Sequence, residues 1–149
     1  MTWTPHATVA VVVEDDQGRF LLVEERSHGE IVFNQPAGHV EEGESIPAAA
    51  LREALEETGW EVELTALIGF YVYKAPANQV TYYRFCFAAK GLRKLTDELD
   101  ADIIAAHWLS LEEIHHRHQQ LRSPLVLQCI EDYREGRRFP LDIIADAQT

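Results

Sequence analysis

Apolar and polar positions alternate along most of this chain, in short runs that turn residues interrupt. Such alternation, with many β-branched and aromatic residues, is typical of strands that have one face in a core. The predicted strands are Ala7–Val13, Phe20–Glu24, Ile31–Phe33, Glu61–Phe70, Val80–Ala89 and Ala105–Leu109. Pro36 lacks the N–H that a central strand needs, so the segment around it should be a sheet edge or a bend.

Three other segments carry the start and stop signals of helices. The first has Ser45 as its N-cap, Pro47 in its first turn and Gly59 as a left-handed terminator. The second starts with a capping box, in which Ser110 precedes Glu113 by three residues. The helices are predicted at residues 48–57, 111–119 and 125–135.

This mixed order of strands and helices predicts a single α/β domain that spans residues 1–149. The net charge of −12 is strongly acidic. A nucleic-acid polymer or an anionic membrane would repel such a protein, so we expect neither as a partner. An anionic phosphate compound stays possible as a substrate if a metal ion lies between it and the protein.

The cysteine content and the apolar runs indicate the compartment. Cys86 and Cys129 both lie within apolar runs and are expected to be small core residues, not a disulfide or zinc ligands. No apolar run approaches the roughly 18–20 residues of a membrane span. The first residues lack the basic region of a signal peptide. We therefore expect a cytoplasmic protein.

One segment, from residue 38 to residue 60, combines a glycine, several glutamates and an arginine at fixed spacing. It fits G-x5-E-x7-R-E-U-x-E-E-x-G-U, where U is apolar, at every position. Each of the seven fixed identities matches by chance about one time in ten to fifteen, which gives about 10⁻⁷ per window. These residues are Gly38, Glu44, Arg52, Glu53, Glu56, Glu57 and Gly59.

On a helix, Glu53, Glu56 and Glu57 fall within roughly a 100° arc. Their like charges repel unless a divalent cation binds them, and Mg²⁺ prefers carboxylate and phosphate oxygens. Arg52 can pair with Glu56 one turn later. The other interpretation is that these glutamates form a solvated acidic face, and Gly38, Glu44, Arg52 and Gly59 in the same register disfavour it. The positions expected to face the core are Leu51, Ala54, Leu55 and Thr58.

This spacing is that of the Nudix box, and the chain resembles the Nudix hydrolases. The resemblance implies an α/β/α sandwich around a mixed β-sheet and hydrolysis of phosphoanhydride bonds with Mg²⁺, for which Mn²⁺ can substitute. It implies that Glu56, Glu57 and the backbone carbonyl of Ala37 bind metal. Glu53 would be a further ligand or the general base, and Glu44 and Arg52 would position the other catalytic groups.

A second acidic group often joins such a site from a loop outside the box. The predicted loop at residues 92–102 offers Glu98, Asp100 and Asp102. Each is either part of the site or a solvated loop residue.

The segments outside the box extend the resemblance to one bacterial phosphatase branch of the family. Those segments are Phe33–His39, Tyr83–Phe85, Leu121–Val126 and Arg138–Ile144. This resemblance implies a small-molecule substrate, either a nucleoside tri- or diphosphate or a thiamine-type pyrophosphate, with release of orthophosphate. Three alternatives stay open: a nucleoside triphosphate pyrophosphohydrolase, a hydrolase of ADP-ribose or nucleotide sugars, and a catalytically silent ligand-binding module.

Substrate-binding residues are expected outside the box. Arg84, Arg122 and Gln35 are the candidates, and the two arginines would bind phosphate groups. For Arg84, a surface ion pair is the alternative. Four aromatic residues either stack on the organic group of the substrate or belong to the core, and they are Tyr71, Tyr73, Tyr82 and Trp108. The chain is expected to be a monomer or a homodimer.

Overall fold

Seven strands and three helices occupy residues 2–147, the part of the chain that the computed structural model describes. Residues 1, 148 and 149 of the predicted domain lie outside the described residues. Short 3₁₀ turns follow the second and third helices, at His118–Gln120 and Leu141–Ile143. In chain order the elements are β1 (His6–Val13), β2 (Arg19–Ser27), β3 (Glu30–Asn34), β4 (Ala37–His39), α1 (Ile46–Thr58), β5 (Trp60–Lys74), β6 (Thr81–Lys94), β7 (Ile103–Ser110), α2 (Leu111–His116) and α3 (Leu125–Arg134).

The strands form two sheets. A four-stranded sheet has the order β4-β1-β6-β5, and a three-stranded antiparallel sheet has the order β3-β2-β7. The four-stranded sheet is mixed, because β1 runs parallel to β6 while its other pairs are antiparallel. The short strand β4, which follows Pro36, lies at its edge, as predicted.

Helices cover both faces of the four-stranded sheet. Ala50 and Ala54 of α1 pack among odd-numbered valines of β1, whereas Cys129 and Ile130 of α3 pack with Cys86 and with even-numbered residues of β1. Alternate residues of a strand point to opposite faces, so the two helices lie on opposite sides. The predicted α/β/α sandwich around a mixed sheet is confirmed.

The buried face of α1 differs from the prediction. Ala54 and Thr58 are buried as expected, but Leu51 and Leu55 are 41% and 36% exposed. The buried positions of the helix are Ala49, Ala50, Glu53, Ala54, Glu57 and Thr58. Small alanines let the helix lie close to the sheet. The helix is therefore rotated about its axis relative to the prediction, so that two glutamates face inward and the two leucines face outward.

Two other predicted boundaries also change. The strands β5 and β6 pair with each other nearly end to end, through three irregularities, so β6 extends five residues past the predicted end at Ala89. Helix α2 ends at His116, and the 3₁₀ turn replaces its predicted last turn. The capping box of α2 is present as predicted.

Two further findings concern the cysteines and the helices. Cys86 and Cys129 are free and fully buried, as expected of small core residues. Within residues 2–147, no helix has both the length and the apolar character to cross a membrane.

Candidate active site

Helix α1 brings two glutamates against the edge strand β4. Ser45 caps the helix by accepting a hydrogen bond from the Ala48 N–H, and Gly59 ends it with a φ of 77°. Between these ends, Glu53 lies directly beside Gly38 of β4. A Cβ at position 38 would collide with the Glu53 carboxyl group, so the glycine lets this carboxylate lie directly against the strand.

Arg52 connects the acidic residues of the box. Its Nε and Nη2 donate to the two carboxylate oxygens of Glu44, at 2.7 and 3.0 Å. Its Nη1 donates to Glu53 Oε1 at 2.8 Å and to Glu56 Oε1 at 2.7 Å. The hydrogen bonds with Glu44 raise the pKa of Arg52 and lower that of Glu44. The predicted pair of Arg52 with Glu56 is therefore one part of a larger network.

Glu57 is the most enclosed of the box carboxylates. Its Oε1 accepts a hydrogen bond from the Ala37 N–H at 2.8 Å. Burial raises the pKa of Glu57 to about 9 against this hydrogen bond, and repulsion from Glu53, Glu25 and Asp100 adds to the shift. Burial also raises the pKa of Glu53, which Arg52 opposes. Negative charge is thus unfavourable here without a cation.

These carboxylates suit a hard divalent cation, although they do not enclose one in this arrangement. Within residues 2–147, no three His, Cys, Asp or Glu side chains stand close enough together to hold a metal ion. Arg52 holds one oxygen each of Glu53 and Glu56, and Glu57 turns toward β4. Several buried oxygen donors that repel one another nevertheless match the preferences of Mg²⁺. The ligand roles of the three glutamates stay predictions.

Of the three acidic loop residues, Asp100 lies nearest to the box. Its N–H donates to the Glu56 carbonyl at 3.0 Å. Burial raises the pKa of Asp100, and repulsion from Glu56 adds to this. Asp102 instead accepts a hydrogen bond at its carbonyl from the Arg26 N–H, and Glu98 is exposed.

Arg84 is buried on the side of the sheet opposite to α1. It is 5% exposed, and its Nη2 donates to Gln35 Oε1 at 2.9 Å and to Asn34 Oδ1 at 3.2 Å. The ion pairs found among residues 2–147 do not include Arg84. The alternative prediction, that Arg84 forms an ion pair at the surface, is therefore wrong.

Gln35 does not reach an open surface. It is 1% exposed, and its Nε2 donates to the Val126 carbonyl at 2.6 Å while its Oε1 accepts from Arg84. Both ends of the amide are therefore occupied inside the protein. The expectation that Gln35 contacts the substrate directly does not fit this structure, because the side chain instead fixes Arg84.

Arg122 is bound to the strands β2 and β3. Its N–H donates to the Phe33 carbonyl at 2.8 Å, and its Nη1 donates to Glu25 Oε1 at 2.7 Å. The side chain is 48% exposed, so part of the guanidinium faces solvent. Burial lowers the pKa of His39, and the nearby charges of His6 and Arg122 lower it further, which places Arg122 close to β4.

Glu25 was not predicted as a site residue. It is 6% exposed, lies at a register shift between Glu24 and Glu25 of β2, and adds to the pKa shift of Glu57. The extra residue of this shift lies on β7, because Glu24 pairs with Ala105 and Glu25 pairs with Ile103, so Glu25 keeps the buried face of Leu21 and Val23. The signal in the sequence was its position two residues after Val23, in a pair of acidic residues that follows an apolar run.

The structure sorts the four candidate aromatic residues. Tyr71 donates from its hydroxyl to Asp132 Oδ2 at 2.6 Å and packs against the core. Trp108 packs edge to face with Trp60, at 5.4 Å between ring centroids. Both are core residues. Tyr82 lies at the start of β6, beside the rings of His6 and His39, and Tyr73 pairs with Tyr82 from the neighbouring strand β5.

Comparisons with known proteins agree with this geometry. Residues 4–129 match the family model for the NUDIX domain. The chain is 42% identical over 144 residues to the phosphatase NudJ of Escherichia coli K12, covering 95% of this chain and 92% of that protein. A NUDIX hydrolase from Nitrosomonas europaea superposes with a TM-score of 0.93 at 46% identity, covering 96% and 97% of the two chains.

A more distant structure shares the fold alone. The NUDIX domain of Shewanella oneidensis NrtR, solved with ADP ribose, superposes with a TM-score of 0.73. It is 22% identical, over 90% of this chain and 89% of that one.

Proposed function

This chain belongs to the Nudix family and is a hydrolase of phosphoanhydrides, and we propose that it is a Mg²⁺-dependent phosphatase of the NudJ type. Its substrates would be nucleoside tri- and diphosphates and thiamine-type pyrophosphates, from which it releases orthophosphate. The observation that supports this most strongly is the combination of mutually repelling glutamates on α1 with the buried Arg84, which has no carboxylate partner among residues 2–147.

The metal would bind to Glu53, Glu56, Glu57 and the backbone carbonyl of Ala37. Mg²⁺ is the proposed ion, with Mn²⁺ as a substitute, because all four groups supply oxygen. A bound divalent ion lowers the pKa of water and offsets charge on phosphoryl oxygens. Asp100 is the proposed additional acid, since it lies beside Glu56.

The protein's own groups position the reaction. Glu44 holds Arg52 through two hydrogen bonds, and Arg52 in turn fixes one oxygen of Glu53 and one of Glu56. Because Arg52 occupies Glu53 Oε1, the second oxygen, Oε2, is left to accept a proton from the attacking water. Glu53 is thus the proposed general base, and burial raises its pKa, which favours the uptake of a proton.

Two arginines would bind the phosphate chain. Among the described residues, no carboxylate balances the charge of the Arg84 guanidinium. A phosphate group of the substrate is therefore a suitable partner for it. Arg122 already pairs with Glu25 and would contribute less. Gln35 would act only through Arg84, by holding its orientation.

The remaining proposals concern the protein as a whole. We propose one Nudix domain over residues 1–149, with the box at residues 38–60, that acts in the cytoplasm as a monomer or a homodimer. The acidic net charge of −12 supports small-molecule substrates over nucleic-acid polymers or membranes.

The test is a substrate panel with product analysis. Nucleoside di- and triphosphates, thiamine pyrophosphate, ADP-ribose and a nucleotide sugar would be incubated with Mg²⁺, with Mn²⁺ and with a chelator. We expect orthophosphate from the first three compounds and no product with the chelator. Release of pyrophosphate from a triphosphate, or cleavage of ADP-ribose or the nucleotide sugar instead, would establish another Nudix specificity. No turnover of any compound would indicate a ligand-binding module.

A further inference from the structure

Three aromatic side chains meet where β1 and β6 begin and β4 ends, and the proposed mechanism does not use them. The ring centroids of His6 and Tyr82 lie 5.6 Å apart, those of His39 and Tyr82 lie 6.2 Å apart, and all pairs meet edge to face. His6 Nδ1 and His39 Nε2 share a hydrogen bond of 3.1 Å. Asn78 Nδ2 donates to the Tyr82 hydroxyl at 3.0 Å. We name His6, His39 and Tyr82 the ring cluster.

The ring cluster faces the same side of the sheet as the proposed phosphate-binding arginine. Tyr82 and Arg84 are two residues apart on β6, so their side chains point the same way, about 7 Å apart. His39 likewise points to the same side of β4 as Ala37. A substrate whose phosphates lie between Arg84 and the box would therefore place its organic group next to these rings.

The core does not explain the ring cluster. Its members belong to neither buried apolar cluster, His39 is exposed, and His6 and Tyr82 are only partly buried. Their mutual hydrogen bond uses one nitrogen of each imidazole, which leaves His6 Nε2 and His39 Nδ1 for other partners. Exposed rings with free nitrogen atoms suit a flat ligand that has both an aromatic face and polar edge atoms.

We propose that His6, His39 and Tyr82 bind the aromatic nitrogen heterocycle of the substrate. This assignment rests on the proposed function, because it concerns the organic half of the same phosphoanhydride. Tyr82 supplies the main aromatic contact, and the two imidazoles bind the polar edge of the heterocycle. A nucleobase and the pyrimidine of a thiamine-type compound share this chemistry, and the experiment distinguishes them.

Tyr83 gives a matched control, because it is the same residue type on the same strand with the opposite direction. Its ring contacts Phe70 and Trp3, at 5.4 and 6.4 Å between centroids, on the α1 side of the sheet. Replacing Tyr82 or Tyr83 by leucine removes an aromatic ring in each case and keeps apolar bulk in the strand. Circular dichroism and thermal unfolding would confirm that both variants fold.

The measurements are the KM for a nucleoside triphosphate and for thiamine pyrophosphate, and the inhibition constant of inorganic tripolyphosphate, which has no ring. We expect Tyr82→Leu to raise the ratio of KM to this inhibition constant about tenfold. The substrate whose ratio rises identifies which heterocycle the ring cluster binds. Tyr83→Leu should leave the ratio unaltered, and His6→Asn should raise it about threefold.

Two results would overturn the proposal. One is an equal change in the inhibition constant of tripolyphosphate, which would show a role in phosphate binding or in structure. The other is the same ratio change in Tyr82→Leu and Tyr83→Leu. Calorimetry with a nucleoside monophosphate separates this proposal from the proposed function. If no phosphoanhydride is cleaved but Tyr82→Leu still weakens that binding about tenfold, the proposed function fails and the heterocycle site stands.

Discussion

Two arginines in this protein have opposite surroundings. Arg52, on α1, donates to three carboxylates and to the His39 carbonyl, so its charge is more than balanced. Arg84, on β6, is more deeply buried, yet among residues 2–147 its side-chain hydrogen bonds go only to the neutral amide oxygens of Asn34 and Gln35.

This difference in charge balance separates two roles. A buried charge is costly unless a partner compensates it. Arg52 has its partners inside the protein and therefore acts as a fixed connector of the box. Arg84 lacks one, so we infer that an anionic group of the substrate supplies it. The carboxylates around Arg52 would then take part in the hydrolysis, while Arg84 would determine which substrates bind.

The largest effect is expected from a change in the Arg52 network. Glu56→Gln removes a carboxylate from the proposed metal ligands while Arg52 keeps Glu44 and Glu53. We expect kcat to fall on the order of 10³-fold with little change in thermal stability, because charge stabilisation at the reacting phosphate is lost. Steady-state kinetics with Mg²⁺ would measure it, and Glu63→Gln, an exposed position on β5, is the control. Full activity in Glu56→Gln would refute the metal assignment.

A smaller effect is expected on the Arg84 side. Arg84→Lys keeps the charge but cannot match the planar, two-pronged contact of a guanidinium with a phosphate. We expect KM to rise about tenfold, with kcat changed less. Arg93→Lys is the control, because that arginine is an exposed surface residue paired with Glu61.

Arg122→Lys should raise KM less than Arg84→Lys does, since Glu25 already balances part of the Arg122 charge. Unchanged KM values in both Arg84→Lys and Arg122→Lys would contradict the proposed difference between Arg52, which acts in the reaction, and Arg84, which binds the substrate.

The smallest effect concerns the orientation of α1, on which the Arg52 network depends. Leu55→Ala should cost less than about 1 kcal/mol, because that side chain is partly exposed. Ala54→Leu, on the buried face, should cost about 1–3 kcal/mol by overpacking. Urea unfolding would measure both. A loss above about 2 kcal/mol for Leu55→Ala would mean that the leucine side of α1 faces the core after all.

The box could be predicted from the sequence because its contacts are local. The cap at Ser45, the terminator at Gly59 and the pair of Arg52 with Glu56 each involve neighbours within two helical turns. The approach of Gly38 to Glu53 joins residues 15 apart, and it was not predicted from the sequence.

The remaining features depend on how distant segments fit together. The acidic Glu25 follows Leu21 and Val23 on the buried face of β2, and only the packing of α1 against that face brings it near Glu57. Gln35 is buried because α3 presents the Val126 carbonyl to it. Leu51 and Leu55 face outward because small alanines, not leucines, fit against the valines of β1. No local pattern contains these relations.

The hydrogen bond from Gln35 to the Val126 carbonyl has a consequence for how such an enzyme can diversify. The orientation of Arg84 depends on the first turn of α3. This turn begins at Pro124, which is 71 residues after Glu53 of the box. Substitutions in that turn can alter which substrates are accepted without touching a single residue of the box. Related proteins with this architecture can therefore change their substrate range while the chemistry of the box stays the same.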